Sequence, residues 1–199
     1  MADLFEAQAH DWDSRPLPTQ ISEGVSRAIM DHVSLSSDMT VMDFGAGTGL
    51  VCAQLAPSVG RVLAVDISES MLQQLAKKEA LKGKVELRCQ DILKAPLTER
   101  VELIVSAMAM HHVEDTRALL RCFSEHLSEG GRIALADLDR EDGDFHPPGI
   151  EGVYHAGFER EELRALAESM GFSELRFVTA TVVHKDEKSY PIFLMTGVK

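Results

Sequence analysis

Val41-Met42-Asp43-Phe44-Gly45-Ala46-Gly47-Thr48-Gly49-Leu50 decides the reading of this chain, and Val62-Leu63-Ala64-Val65-Asp66-Ile67 answers it downstream. An apolar run ends in an acid, glycines alternate through a turn, and a second apolar run ends in another acid. Apolar runs of this length, closed by turn signals, read as strands buried on both faces. Gly45 permits a sharp exit from the first strand, and Gly47 lets another group approach the backbone with no Cβ in the way. The pattern is a strand, a turn and a helix, followed by the next strand of a parallel sheet.

Outward from that stretch, apolar strands alternate with amphipathic helices. The strand candidates are 40–44, 61–65, 84–89, 101–107 and 132–137, and runs such as Leu103-Ile104-Val105 and Ile133-Ala134-Leu135-Ala136 bury both faces. Strands of that kind belong to parallel sheets covered by helices. Met71, Leu72 and Leu75 make one helical stripe; Leu119, Leu120, Phe123 and Leu127 make another, which Gly130-Gly131 is expected to terminate. Leu163, Leu166 and Met170 mark a third, stopped by Gly171. Two late β-like runs, 173–184 and 190–198, are joined by too short a turn for a parallel crossover and should pair antiparallel. The expected fold is a doubly wound α/β domain with a mostly parallel seven-stranded sheet and an antiparallel C-terminal strand, over residues 40–199. Residues 1–39 form a helical lid segment. Within it, Ile21, Val25, Ile29 and Val33 share one helical face, while Trp12 and Pro16-Leu17-Pro18 read as an irregular stretch.

The 199 residues suffice for one sizeable α/β core. No apolar run reaches the roughly 20 residues of a membrane span, and Met1-Ala2-Asp3-Leu4-Phe5-Glu6 carries no basic and apolar leader. The cytoplasm is the default compartment, with no membrane partner. Cys52, Cys89 and Cys122 lack paired spacing and read as reduced packing thiols. A formal charge of −12 disfavours nucleic acid, because phosphate contacts need a basic face.

In open α/β sheets the ligand sits outside the carboxyl ends of the strands, where the strand order reverses. Asp66, ending the second strand, is placed to accept both hydroxyls of an adenosine ribose. A dinucleotide fingerprint, G-x-G-x-x-G, would put its third glycine at Leu50, whereas this turn spaces its glycines G-x-G-x-G. Asp43 discriminates further. Facing a pyrophosphate it would cost about 4 kcal/mol per charge pair at about 4 Å and effective dielectric near 20. Facing an ammonium, or water bound to one, it is favourable. A ligand with a ribose and a cationic, unphosphorylated tail suits both acids. Asp43 also admits a reading as a buried acid that caps backbone amides.

In these segments the chain resembles the class I S-adenosylmethionine-dependent methyltransferases of the compact small-molecule type. Val41–Leu50 matches the family's glycine motif, Val62–Met71 its acidic loop and Cys89-Gln90-Asp91-Ile92-Leu93 its adenine motif. Leu103–Asp115 and Leu127–Leu138 match its fourth and fifth strand segments. The resemblance implies S-adenosylmethionine as cofactor and S-adenosylhomocysteine as product. It places Asp66 on the ribose hydroxyls and Ile67 on the adenine face. Asp91 would meet the exocyclic amine, with the Ile92 backbone at the ring edge. Gly45 and Ser106, near Asp43 and Gly47, would meet the methionine moiety. Met71 packs near the adenine or is simple core.

Methyl transfer from a sulfonium needs a collinear, dry arrangement, and a general base only where the acceptor must lose a proton. His111 and His112 follow the fourth strand and can serve as base, or pack and cap. The segment lacks the Asn/Asp-Pro-Pro-aromatic motif of relatives that methylate amide or nucleobase nitrogen. His146, Tyr154, His155 and Phe158 lie in the 139–158 loop where the family places its acceptor wall. Tyr154 and Phe158 with Trp12 are the pocket candidates, and His155 a further catalytic candidate; each has packing as its alternative. Asp139, Asp142, Asp144 and His146 fit no known metal-loop spacing. The expected partner is a small-molecule acceptor, and the chain acts as a monomer or homodimer. Two rivals remain: a cofactor-binding sensor without turnover, and a nicotinamide-dependent oxidoreductase.

Overall fold

The computed structural model describes residues 3–147, 149–185 and 187–199. Seven strands form one sheet: β1 Thr40–Phe44, β2 Arg61–Asp66, β3 Val85–Cys89, β4 Val101–Ala107, β5 Leu127–Leu138, β6 Ser173–Lys185 and β7 Lys188–Val198. Their order is β3-β2-β1-β4-β5-β7-β6. β7 runs antiparallel to both its neighbours, and the other ladders are parallel. The sheet is the doubly wound one expected. The chain moves outward from β1 through β2 to β3, then returns to place β4 on the other side of β1. A crevice therefore opens at the carboxyl ends of β1 and β4.

The helices are α1 Glu6–Ala9, α2 Pro16–His32, α3 Leu50–Leu55, α4 Glu69–Ala76, α5 Thr116–His126 and α6 Arg160–Ser169. Alternation along the strands divides the core between two faces. Val41, Val62, Ala64, Leu103 and Val105 pack with Val25 and Ile29 of α2, Leu55 of α3 and Leu75 of α4. Met42, Leu63, Val65 and Ile104 pack with Phe123 of α5 and Leu163 of α6.

Two local expectations are corrected. Pro16-Leu17-Pro18 is the first turn of α2 rather than an irregular stretch. Proline is at home there, since its missing N–H has no intrahelical acceptor and its φ is already helical. Gly130-Gly131 does not end a helix. α5 stops at His126, and Leu127 already pairs with Val101 in the sheet. The register then shifts before Leu103 meets Arg132, and Gly130 takes φ 71° within that irregularity. The glycines let β5 bulge; they do not start it.

Candidate active site

The glycine turn is stitched to the neighbouring strand: the N–H groups of Gly45 and Ala46 donate to the Val65 carbonyl at 2.9 and 3.1 Å. The N–H of Gly47 donates to Oδ2 of Asp66 at 2.7 Å, and the Ser68 N–H donates to Oδ1 at 2.8 Å. One carboxylate thus holds the turn and the entry to α4 together. Each of its oxygens keeps a second lone pair, so the group still has acceptor capacity for a pair of hydroxyls. Burial raises the Asp66 pKa, and the N–H groups of Ser68 and Gly47 pull against that rise. Gly47 has φ 54°, and a Cβ there would meet nothing within 4 Å. The space beside its backbone is open.

Asp43, deeper on β1, is 1% exposed, and its Oδ2 has no hydrogen-bond partner among the described residues. Burial first, and the Asp66 carboxylate second, push its pKa up to about 7, against a small opposing effect of the Cys52 backbone N–H. A buried, orphaned acceptor beside a second acid is an unfavourable arrangement for the protein alone. A cationic ligand in the crevice removes that cost, and an anionic one deepens it. The residues fit a sulfonium amino-acid cofactor with a ribose, and do not fit a pyrophosphate.

Around this pair stand the other cofactor candidates. Ile67 is 69% exposed at the end of β2, an apolar side chain with a free face. Asp91 accepts from the Leu93 N–H at 3.1 Å and from Lys94 Nζ at 2.7 Å. Burial raises its pKa, but Lys94 and the Leu93 N–H outweigh that and leave it lowered. Ile92 and Met71 are buried. Ser106 is buried too, and its hydroxyl donates to the Phe44 carbonyl at 3.0 Å. That bond ties β4 to β1 at the crevice.

The N-terminal segment is tied to the same place. Asp3 Oδ2 accepts from the Ser70 N–H at 3.1 Å and from the hydroxyls of Ser68 and Ser70 at 2.9 and 2.7 Å. Asp13 accepts from the Thr48 hydroxyl and pairs with Lys78 Nζ at 2.7 Å. Phe5 stands edge-on to Trp12, with centroids 6.1 Å apart, and edge-on to His112 at 5.6 Å. Trp12 is thereby brought to the site through Phe5. Asp3 and Asp13 escaped the sequence reading because surface acids in an irregular segment carry no periodic signal.

At the far side, the His111 ring is 1% exposed and its Nδ1 lies 2.7 Å from Asp137 Oδ1. Its Nε2 lies 3.1 Å from His146 Nε2. His112 Nδ1 donates to the Gly152 carbonyl at 2.6 Å. Burial lowers the His112 pKa, with His111 adding to the effect. His155 turns the other way, placing Nε2 2.9 Å from the Val113 carbonyl, and its ring packs at 5.2 Å from Phe158. Phe158 also meets Phe193 of β7 edge-on. Tyr154, 55% exposed, lines a cavity of about 250 Å³ together with Glu141, His146 and His155. His111 and His112 are therefore brought together with His146, His155 lines the cavity beside it, and Phe158 sits in the core behind the loop. Asp137 was missed, although its signal was present: Ile133-Ala134-Leu135-Ala136-Asp137 is a third apolar strand closed by an acid.

Comparison with known proteins agrees with this geometry. The family described as "Methyltransferase domain" matches residues 41–131. A Schizosaccharomyces pombe protein described as an uncharacterized methyltransferase is 27% identical over 71% of this chain. The chain spans 56% of that relative's length. A Bacillus cereus protein of the same description is 28% identical over 78% of this chain and 75% of its own. Among solved structures, the N-methyltransferase NodS from Bradyrhizobium japonicum, in complex with S-adenosylhomocysteine, superposes with a TM-score of 0.74. The match is 16% identical over 99% of this chain and 94% of NodS. No helix among the described residues is long and apolar enough to cross a membrane. The glycine turn, the paired strand-end acids and the sheet order accompany a methyltransferase-domain match over residues 41–131, and the chain is similar to the class I S-adenosylmethionine-dependent methyltransferases.

Proposed function

We propose that this chain transfers the methyl group of S-adenosylmethionine to a small-molecule acceptor in the crevice beyond β1 and β4. Buried Asp43, with its unpartnered oxygen beside Asp66, carries this reading. Asp66 holds the ribose, Ile67 covers the adenine, and Asp91 with the Ile92 backbone meets its polar edge. Gly45, Gly47 and Ser106 shape the end where the methionine portion lies, and Met71 backs the adenine side. The cofactor supplies an activated methyl; the chain supplies alignment and a dry enclosure.

The acceptor enters over the 139–158 loop. Trp12 and Tyr154 contribute aromatic surface, and Phe158 supports the wall from behind. Of the histidines, His111 and His112 follow β4 at the crevice, and His155 supports the loop through the Val113 carbonyl. Isothermal titration with S-adenosylhomocysteine and, separately, with NADH tests the cofactor. Binding of the thioether and not the dinucleotide is expected; the reverse overturns the proposal. Turnover of labelled S-adenosylmethionine on a panel of amines, phenols and thiols tests the transfer, and cofactor binding with no turnover would favour a sensor.

A further inference from the structure

The hydrogen-bond chain running from Asp137 through His111 to His146 has a fixed polarity. Asp137 is fully buried and has two acceptor oxygens. Oδ2 takes the His111 backbone N–H at 3.2 Å, and Oδ1 takes the Leu138 N–H at 2.8 Å and faces His111 Nδ1 at 2.7 Å. A carboxylate can only accept, so His111 Nδ1 carries the proton and its Nε2 carries a lone pair. That lone pair faces His146 Nε2 at 3.1 Å. His146 must therefore donate from Nε2, which leaves its Nδ1 as the basic nitrogen. His146 lines the cavity of about 250 Å³ with Glu141 and Tyr154, so the chain starts at a buried acid and ends at a space open to a ligand.

We infer that His146 is the proton acceptor for the methylated nucleophile, and that Asp137 and His111 are positioning residues that act through it. The inference rests on the methyltransferase reading and deepens it: the acceptor is a protic nucleophile, a hydroxyl, thiol or primary or secondary amine, rather than a thioether or tertiary amine. The nucleophile's lone pair forms the new bond to the methyl carbon, and the carbon–sulfur electron pair goes to sulfur. The nucleophile's proton passes to His146 Nδ1, and the Nε2 proton of His146 passes to His111 Nε2. The positive charge then rests on the imidazole beside the buried Asp137 carboxylate, where it is stabilised.

The groups facing His146 are His111 and His112 after β4, Asp137 on β5 and Lys185 on β6. Burial first, then the two histidines, lower its pKa to about 4, against an opposing pull from Asp137. It is consequently neutral, with its lone pair available, throughout the physiological range. An imidazole this weakly basic holds a proton poorly by itself. Onward transfer to His111 is what lets it take one.

Histidine labelled with 15N in the S-adenosylhomocysteine complex tests the chain. Long-range correlation at pH 7.5, assigned with His111→Gln and His146→Gln, should show His111 as the Nδ1–H tautomer and His146 as Nε2–H. Asp137→Ala removes the acceptor that fixes His111 as the Nδ1–H form and should populate the opposite tautomer of both rings. His146 as Nδ1–H in the wild type, or tautomer populations unmoved by Asp137→Ala, overturns the inference. So does a tightly held metal ion between the two Nε2 atoms. For any phenol, amine or thiol that the enzyme methylates, His146→Ala should lower kcat by about 10²–10⁴-fold with KM little changed, and added imidazole should restore part of it. An unchanged kcat also overturns it. Calorimetry with S-adenosylhomocysteine should give wild-type affinity in His146→Ala. Failure of the wild type to bind that thioether would instead sink the cofactor reading.

Discussion

Asp43 of β1 lies in register with Ala64 of β2, so Asp66 stands two residues further along the adjacent parallel strand. The two acids stagger up one wall of the crevice, one buried with a free acceptor and the other engaged by two backbone N–H groups. The Asp66 carboxylate makes ionisation of the deeper acid harder, and no cation among the described residues pairs with Asp43 to relieve it. The asymmetry assigns the acids different work: Asp66 is a geometric clamp, and Asp43 is a charge waiting for a partner.

Cofactor binding should therefore be coupled to a proton. With the Asp43 pKa raised to about 7, the free protein carries this acid largely neutral at pH 6, and a cationic ligand prefers it ionised. Affinity for S-adenosylmethionine should rise as pH climbs from 6 to 8 and then level. Titrations at pH 6.5 in buffers of different ionisation enthalpy should show release of a fraction of a proton. Asp43→Asn should abolish the release. For stability of the free protein the sign is opposite. The folded pKa lies above the unfolded one, so this group's contribution is complete below about pH 4 and is lost as pH rises through about 7. Asp43→Asn should flatten that fall in a melting-temperature profile; persistence of the fall would place its origin elsewhere.

Asp66→Ala removes the acceptor of the Gly47 and Ser68 N–H groups as well as the one proposed for the ribose. Loss of charge-assisted hydrogen bonds of this kind costs on the order of 1–3 kcal/mol. S-adenosylhomocysteine should bind roughly 5- to 150-fold more weakly. Unchanged affinity by calorimetry would remove Asp66 from the site.

Two glycines of the turn should respond differently to alanine. At Gly45, with φ 71°, a Cβ would lie 2.3 Å from the Ala109 Cβ, so Gly45→Ala should lower the melting temperature by forcing β1 from the segment after β4. At Gly47, with φ 54°, nothing stands within 4 Å of the new methyl. The cost to the fold should be the backbone one alone, about 1 kcal/mol. The methyl instead occupies the open space beside the turn, so cofactor affinity should drop in a folded protein. A Gly47→Ala variant that binds normally would show that the ligand does not approach that backbone.

The sheet was legible because its strands are apolar on both faces and end in marked residues, as in Val41–Asp43 and Val62–Asp66. Register needs no long-range information when a one-residue slip would turn Met42 and Leu63 away from their core. The helix-versus-strand boundary at Leu127 was not legible: an apolar residue at helical spacing from Phe123 satisfies both periodicities, and pairing with Val101 decides between them. The paired strand-end acids Asp43 and Asp66 could be found from spacing alone. Asp137 belonged to the same pattern but acquires meaning only when His111 folds against it. His146 likewise depends on a loop that reaches back from beyond β5, a contact between residues far apart in sequence.

Two acids fasten the N-terminal segment to the start of α4 and to the glycine turn, which makes its proposed role as a lid testable. Asp3 receives three hydrogen bonds from Ser68 and Ser70 at the start of α4. Burial opposes its ionisation, but the Ser70 hydroxyl and N–H outweigh that and keep its pKa low. Asp13 joins Thr48 in the glycine turn to Lys78 beyond α4. The Asp13–Lys78 pair is partly exposed, at 41% and 24%, so about 0.2–1 kcal/mol is a fair share for it, with a similar amount for the Thr48 hydroxyl. Asp13→Ala should then speed dissociation of S-adenosylhomocysteine severalfold and raise hydrogen exchange of amides in residues 3–15. The melting temperature should hardly move, since the packing of β1 to β7 does not depend on this contact. Equal dissociation rates and unaltered exchange would mean that the segment does not close over the cofactor.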